Sequence, residues 1–147
     1  MSDTMPRCEF LEQDLLLRLD LTLPGTVKGI APLVESVMVI VTEMGCAAGK
    51  EHEVELALVE ALGNAVRHGC KDDVDKTIQC VVACDEERGM LIIVRDPGEG
   101  FDLSEVPSPL SGENIFSTHG RGIYLINQLM DSVRFERGGT EIHMRKK

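Results

Sequence analysis

Apolar and polar residues alternate from Asp14 to Leu23. Leu15, Leu17, Leu19, Leu21 and Leu23 fall on one side, and Arg18, Asp20 and Thr22 on the other. A period of two marks a half-buried strand, and Pro24-Gly25 ends it. The period then changes: Val34, Val37, Met38, Val41 and Met44 recur at helical spacing, with Gly45 as the stop. A second helix is expected from Lys50 to His68 on Val54, Leu56, Ala57, Leu58, Ala61, Leu62, Ala65 and Val66, with Gly69 just past its end. Alternation returns in Lys76–Asp85, where Ile78, Cys80, Val82 and Cys84 share a face, and Met90–Asp96 forms a third strand. The turn Glu86-Glu87-Arg88-Gly89 between them predicts an antiparallel hairpin.

Residues 97–119 show little periodicity, and an aperiodic loop of that length inside a small domain is usually functional or mobile. A helix from Gly122 to Met130 follows. Val133–Glu136 and Thr140–Met144 close the chain as a hairpin around Arg137-Gly138-Gly139. The order is β-α-α-β-β-loop-α-β-β. Sequential hairpins predict an α/β (α+β) two-layer sandwich, a mostly antiparallel mixed sheet with helices on one face. With no repeat or linker, residues 1–147 read as one domain, residues 1–13 being a flexible lead-in.

Composition narrows the function classes. Hydrophobic residues are 43% and charged residues 27% of 147, enough for a folded core. Lys and Arg number 15 against 25 Asp and Glu, a formal net charge of −10. Such a surface repels phosphate backbones, so direct nucleic-acid binding is not expected. Any bound anion must be held by local groups. No apolar run nears the roughly 20 residues that span a bilayer, and no signal peptide is evident, so neither a membrane nor export is expected. Cys8, Cys46, Cys70, Cys80 and Cys84 are odd in number with no CxxC pair. They read as small hydrophobes in a reducing cytoplasm, and the four histidines show no zinc-type spacing with them.

Three segments carry chemistry. In Glu60-Ala-Leu-Gly-Asn64-Ala-Val-Arg67-His68, the residues Glu60, Asn64 and His68 lie about 40° apart along one helix stripe, flanked by Arg67. A carboxylate, an amide oxygen and two basic groups suit a hydrated Mg²⁺ and its phosphates, though an ordinary solvated helix face would look the same. Gly63 within that helix costs about 1 kcal/mol relative to Ala and implies a close neighbour. The second segment, Asp96-Pro-Gly98-Glu-Gly100, leaves a strand; its carboxylate can accept a hydrogen bond from an exocyclic amine, and its glycines permit close approach. The same letters also suit a plain strand-to-loop turn. The third, Thr118-His119-Gly120-Arg121-Gly122, stands before an apolar helix whose free N–H groups can bind an anion.

Taken in order, these segments resemble the GHKL (Bergerat-fold) ATPase superfamily over nearly the whole chain. Glu60-x-x-x-Asn64-x-x-x-His68 is similar to its N box, Asp96-x-Gly98-x-Gly100 to its G1 box and Gly120-Arg121-Gly122 to its G2 box. The wording EALGNAVRHG and GRGIYLINQLMD is most similar to the anti-sigma-factor serine/threonine kinases. The resemblance implies the Bergerat ATP-binding fold, with ATP and Mg²⁺ as cofactors. It makes Glu60 the general base and Asn64 the Mg²⁺ ligand. It places Arg67, His68, His119, Gly120, Arg121 and Gly122 at the nucleotide or its phosphates. Asp96, Gly98, Gly100 and Thr140 fall at the adenine site, and residues 102–119 would be the ATP lid. It further implies a sigma factor and an anti-anti-sigma (STAS-domain) protein as partners, and a homodimer. Two other readings share the nucleotide site: a non-catalytic ATP-sensing switch, and a detached histidine-kinase catalytic domain.

Overall fold

The structure, a computed structural model, describes residues 5–10, 12–100 and 118–147. Five strands form one sheet: β1 (Leu15–Pro24), β2 (Thr77–Asp85), β3 (Gly89–Arg95), β4 (Ser132–Glu136) and β5 (Glu141–Lys146). Their order is β1-β2-β3-β5-β4, and every neighbouring pair is antiparallel, so the expected mixed sheet is antiparallel throughout. Connectivity explains this. Two helices carry the chain up and back between β1 and β2, so Pro24 ends opposite Thr77 where β2 begins. A single crossover joins β3 to β4, which would favour parallel neighbours, but β5 is interposed between them.

Three helices cover one face: α1 (Ile30–Met44), α2 (Glu51–Asn64) and α3 (Thr118–Leu129). The central helix is α2, which packs against α1 on one flank and α3 on the other. Val34, Val37, Met38 and Val41 of α1, and Val54, Ala57, Leu58, Ala61 and Leu62 of α2, are buried against Ile78, Cys80, Val82, Met90, Ile92, Val94, Ile142 and Met144 of the sheet. Each fully buried large aliphatic side chain contributes about 1.5–3 kcal/mol. Helix α1 stops at Gly45, which takes a left-handed φ of 69°, as its place in the sequence predicts.

The outer sheet face is apolar too, at Val81, Ala83, Leu91 and Ile93. Strands apolar on both faces need two covers. The segment expected to be a flexible lead-in supplies part of the second: Phe10 lies buried on these residues, with the Arg145 guanidinium 5.0 Å from its ring centroid.

Three further differences are physical. First, α2 does not end at Gly69. It widens into a π-helical segment, Ala65–Cys70, and the left-handed cap is Lys71 at φ 52°. Second, α3 already includes Thr118, four residues before the expected Gly122, so Gly120-Arg121-Gly122 is helical and does not precede the helix. Third, Cys46 and Cys84, expected as free thiols, form a disulfide with Cα atoms 5.9 Å apart. The α1–α2 connection brings Cys46 onto the end of β2, a proximity set by tertiary packing and invisible in a separation of 38 residues.

Candidate nucleotide site

Strand β3 ends beneath α2, and this places Asp96 against the widened π-helical turn. A Cβ on Gly69 would overlap the Asp96 carboxyl group, so only glycine lets the helix and this side chain meet. That contact, and not a helix stop, is why residue 69 is glycine. π-turns inside helices are frequent at functional sites. The Gly98 N–H donates to Asp96 Oδ1 at 2.8 Å, and the Asp96 N–H donates to the Thr140 carbonyl at 2.9 Å. Burial pushes the Asp96 carboxyl up to about 6, the Gly98 hydrogen bond only partly opposing it.

Asp96 lines a cavity of about 240 Å³ together with Asn64, His68, Gly69, Gly100 and Thr140. Ala61, Ala65, Val94, Ile123, Ile126, Phe135 and Ile142 supply apolar walls. An apolar cavity with a carboxylate in its lining suits a base bearing an amine. The Thr140 hydroxyl donates to the Arg137 carbonyl at 2.9 Å, which leaves its oxygen as an acceptor. Burial, and then the neighbouring Arg67 charge, hold the His68 imidazole below its usual range, so it is neutral near pH 7.

Not every expected residue lines this cavity. Gly98 backs Asp96 from behind. Glu60 and Asn64 meet α3 at Gly122, where a Cβ would stand 3.1 Å from Glu60 Oε2 and 3.0 Å from Asn64 Nδ2. A glycine there draws the start of α3 close to both side chains. Arg67 is exposed and folds back over Gly63: a Cβ at Gly63 would lie 3.1 Å from Arg67 Nη1. This is the close neighbour that Gly63 implies. The Arg67 Nη2 lies 3.5 Å from Asn64 Oδ1. For His119, Gly120 and Arg121, only the helical backbone is described. The lid expected at residues 102–119 falls almost wholly outside the described residues.

Among the described residues, no three His, Cys, Asp or Glu side chains cluster as a metal cage. Asn64 Oδ1, close to Gly122, is a hard oxygen donor. Magnesium is commonly held by one or two such protein oxygens, with phosphates and water completing its shell, so the donor set fits that ion.

Sequence reasoning missed the apolar walls and Gly69. Ala61 and Ala65 give the only signal, two small residues four apart on the edge of the stripe that holds Asn64 and His68. The family model of the histidine kinase-like ATPase domain matches residues 23–146. The chain belongs to that family. Among curated proteins, it is 28% identical over 123 residues to Serine-protein kinase RsbW from Bacillus cereus strain G9842, covering 80% of this chain and 76% of the relative. The same protein from Bacillus mycoides strain KBAB4 and from Bacillus anthracis matches with the same identity and coverage. Among the described residues, no helix is long and apolar enough to cross a membrane.

Proposed function

We propose that the chain is an ATP-binding anti-sigma factor that phosphorylates a serine or threonine of an anti-anti-sigma protein of the STAS type. It would work in the cytoplasm, as a homodimer able to hold a sigma factor, with residues 1–147 acting as one ATP-binding unit. The carrying observation is that Asn64, His68, Asp96, Gly100 and Thr140, from three separate stretches of sequence, line one cavity in a chain of the ATPase-domain family. The name serine-protein kinase borne by its relatives supports the choice of acceptor.

In this reading Asp96 accepts a hydrogen bond from the adenine amine, and Thr140 completes the polar edge. Gly98 and Gly100 keep the strand exit close to the base. The N–H groups at the start of α3, with Arg121 and His119, hold the phosphates at the positive end of the helix. Arg67 and His68 border them. Asn64 holds Mg²⁺, which neutralises phosphate charge when bound. Glu60 accepts the proton of the acceptor hydroxyl as its oxygen bonds to the γ-phosphorus and ADP leaves. Phosphoryl transfer demands positioning and charge stabilisation more than covalent chemistry, and these groups supply both.

The test is transfer of label from γ-labelled Mg·ATP to a STAS-domain protein encoded in the same genome. Wild type should label it, and Glu60→Ala should reduce the rate by 10²-fold or more, the contribution typical of a general base. ATP binding without transfer would instead favour the non-catalytic switch, and full transfer by Glu60→Ala would remove Glu60 from the chemistry.

A further inference from the structure

On the solvent side of the helix layer, α1 and α2 leave a groove of about 680 Å³ between them. One wall is the α1 ridge Ala31, Glu35, Val39 and Glu43, spaced four apart; the other is Glu55 and Val59 of α2. Val34 and Met38 form the floor. Val39 is 54% exposed and Val59 38%, with Leu56 beside them at 36%. The groove therefore has an apolar centre and a carboxylate rim of Glu35, Glu43 and Glu55, with no basic residue in its lining. Neither Glu35, Glu43 nor Glu55 has a salt-bridge partner among the described residues.

We infer that this groove docks an amphipathic helix of another protein, one whose apolar stripe is flanked by Lys or Arg. Apolar anchors entering between two helices, with opposite charges at the edges, is a recurrent recognition mode. Charge decides between occupants. A second copy seated groove to groove would bring the carboxylate rims of both copies together. Residues 101–117 of this chain contain Asp102, Glu105 and Glu113 and no Lys or Arg, so they do not complement the rim either. The groove lies on the far side of α2 from α3 and Gly122, so an occupant leaves the nucleotide cavity open. Because Val59 is the residue before Glu60, an occupant would press on the helix that carries the expected base. The inference rests on this surface alone and stands or falls separately from phosphoryl transfer.

The experiment titrates the full chain into a fluorescent helical peptide of leucine and lysine, with leucines at i, i+3, i+4 and i+7. Saturable binding is expected. Val39→Asp should weaken it about tenfold by removing an apolar anchor, and Glu43→Lys should weaken it by reversing a rim charge. Val39→Asp separates docking from plain charge attraction, since a more acidic surface would bind a cationic peptide more tightly. No binding, or equal or tighter binding by Val39→Asp, overturns the proposal. So does a wild-type dimer in sedimentation that Val39→Asp makes monomeric, because a second copy would then be the occupant. Thermal melting followed by circular dichroism confirms that each variant is folded.

Discussion

Asp96 acts in opposite directions on binding and on stability. Its carboxyl titrates near 6 in the folded chain because burial disfavours the charge. The folded state thus holds this proton more tightly than the unfolded one, so the group's contribution to stability is complete at acid pH. It is lost as the pH rises from about 4 to about 6. Asp96→Asn should therefore raise stability at pH 7.5 by ~1 kcal/mol, after allowance for partial exposure, and leave it unchanged at pH 4. The same substitution removes the charged acceptor and should weaken ATP binding about 10- to 100-fold, the worth of a hydrogen bond to a charged group. Chemical denaturation at the two pH values, together with ATP titration, checks both signs. If Asp96→Asn were less stable at pH 7.5, the carboxylate would be holding the fold and not straining it.

The contact of the π-helical turn with the end of β3 builds the cavity, and it depends on the absence of a side chain at position 69. Gly69→Ala should cost about 1–3 kcal/mol through overpacking and abolish ATP binding; a stable, ATP-binding variant would show that the turn can move away from Asp96. The disulfide lies at the opposite end of the sheet. Cys84 is near the end of β2, whereas Gln79, near its start, pairs with Arg95 beside Asp96. Reduction should lower stability by roughly 3 kcal/mol and leave ATP affinity within about twofold, since the tether is remote from the site. These elements were unequally legible in sequence. The leucine alternation of β1 and the paired alternations of β2 and β3 report burial directly, because strand faces repeat every two residues. The start of α3 was hidden, since Thr118 to Gly122 contains no apolar residue to show a period. The widened turn was hidden because Ala65 to Cys70 suits a helix of either pitch. Of the residues lining the cavity, Asn64, His68, Asp96 and Gly100 stand in the polar motifs, and Thr140 was implied only by the family resemblance. The apolar wall, which includes Phe135 of β4, depends on β5 lying between β3 and β4, and no local pattern encodes that.

Across the whole molecule, a formal charge of −10 coexists with a proposed site for a polyanion. The local groups that would offset it are the start of α3, Arg121 and Arg67. Binding to the folded state alone should stabilise the chain by about 2.7 kcal/mol at a hundredfold excess over Kd, a rise of roughly 5–10 °C in Tm for a domain of this size. Asp96→Asn should lose most of that rise. Asp96 also predicts which base is accepted: a carboxylate welcomes the amine of adenine and repels the carbonyl oxygen that guanine presents at the corresponding position. Calorimetric titration of the wild-type chain with Mg·ATP and with Mg·GTP therefore tests the central claim most directly. The expected result is saturable one-site binding of ATP, with GTP at least tenfold weaker. Equal affinity for the two nucleotides, or no heat with ATP, would contradict an adenine site at Asp96.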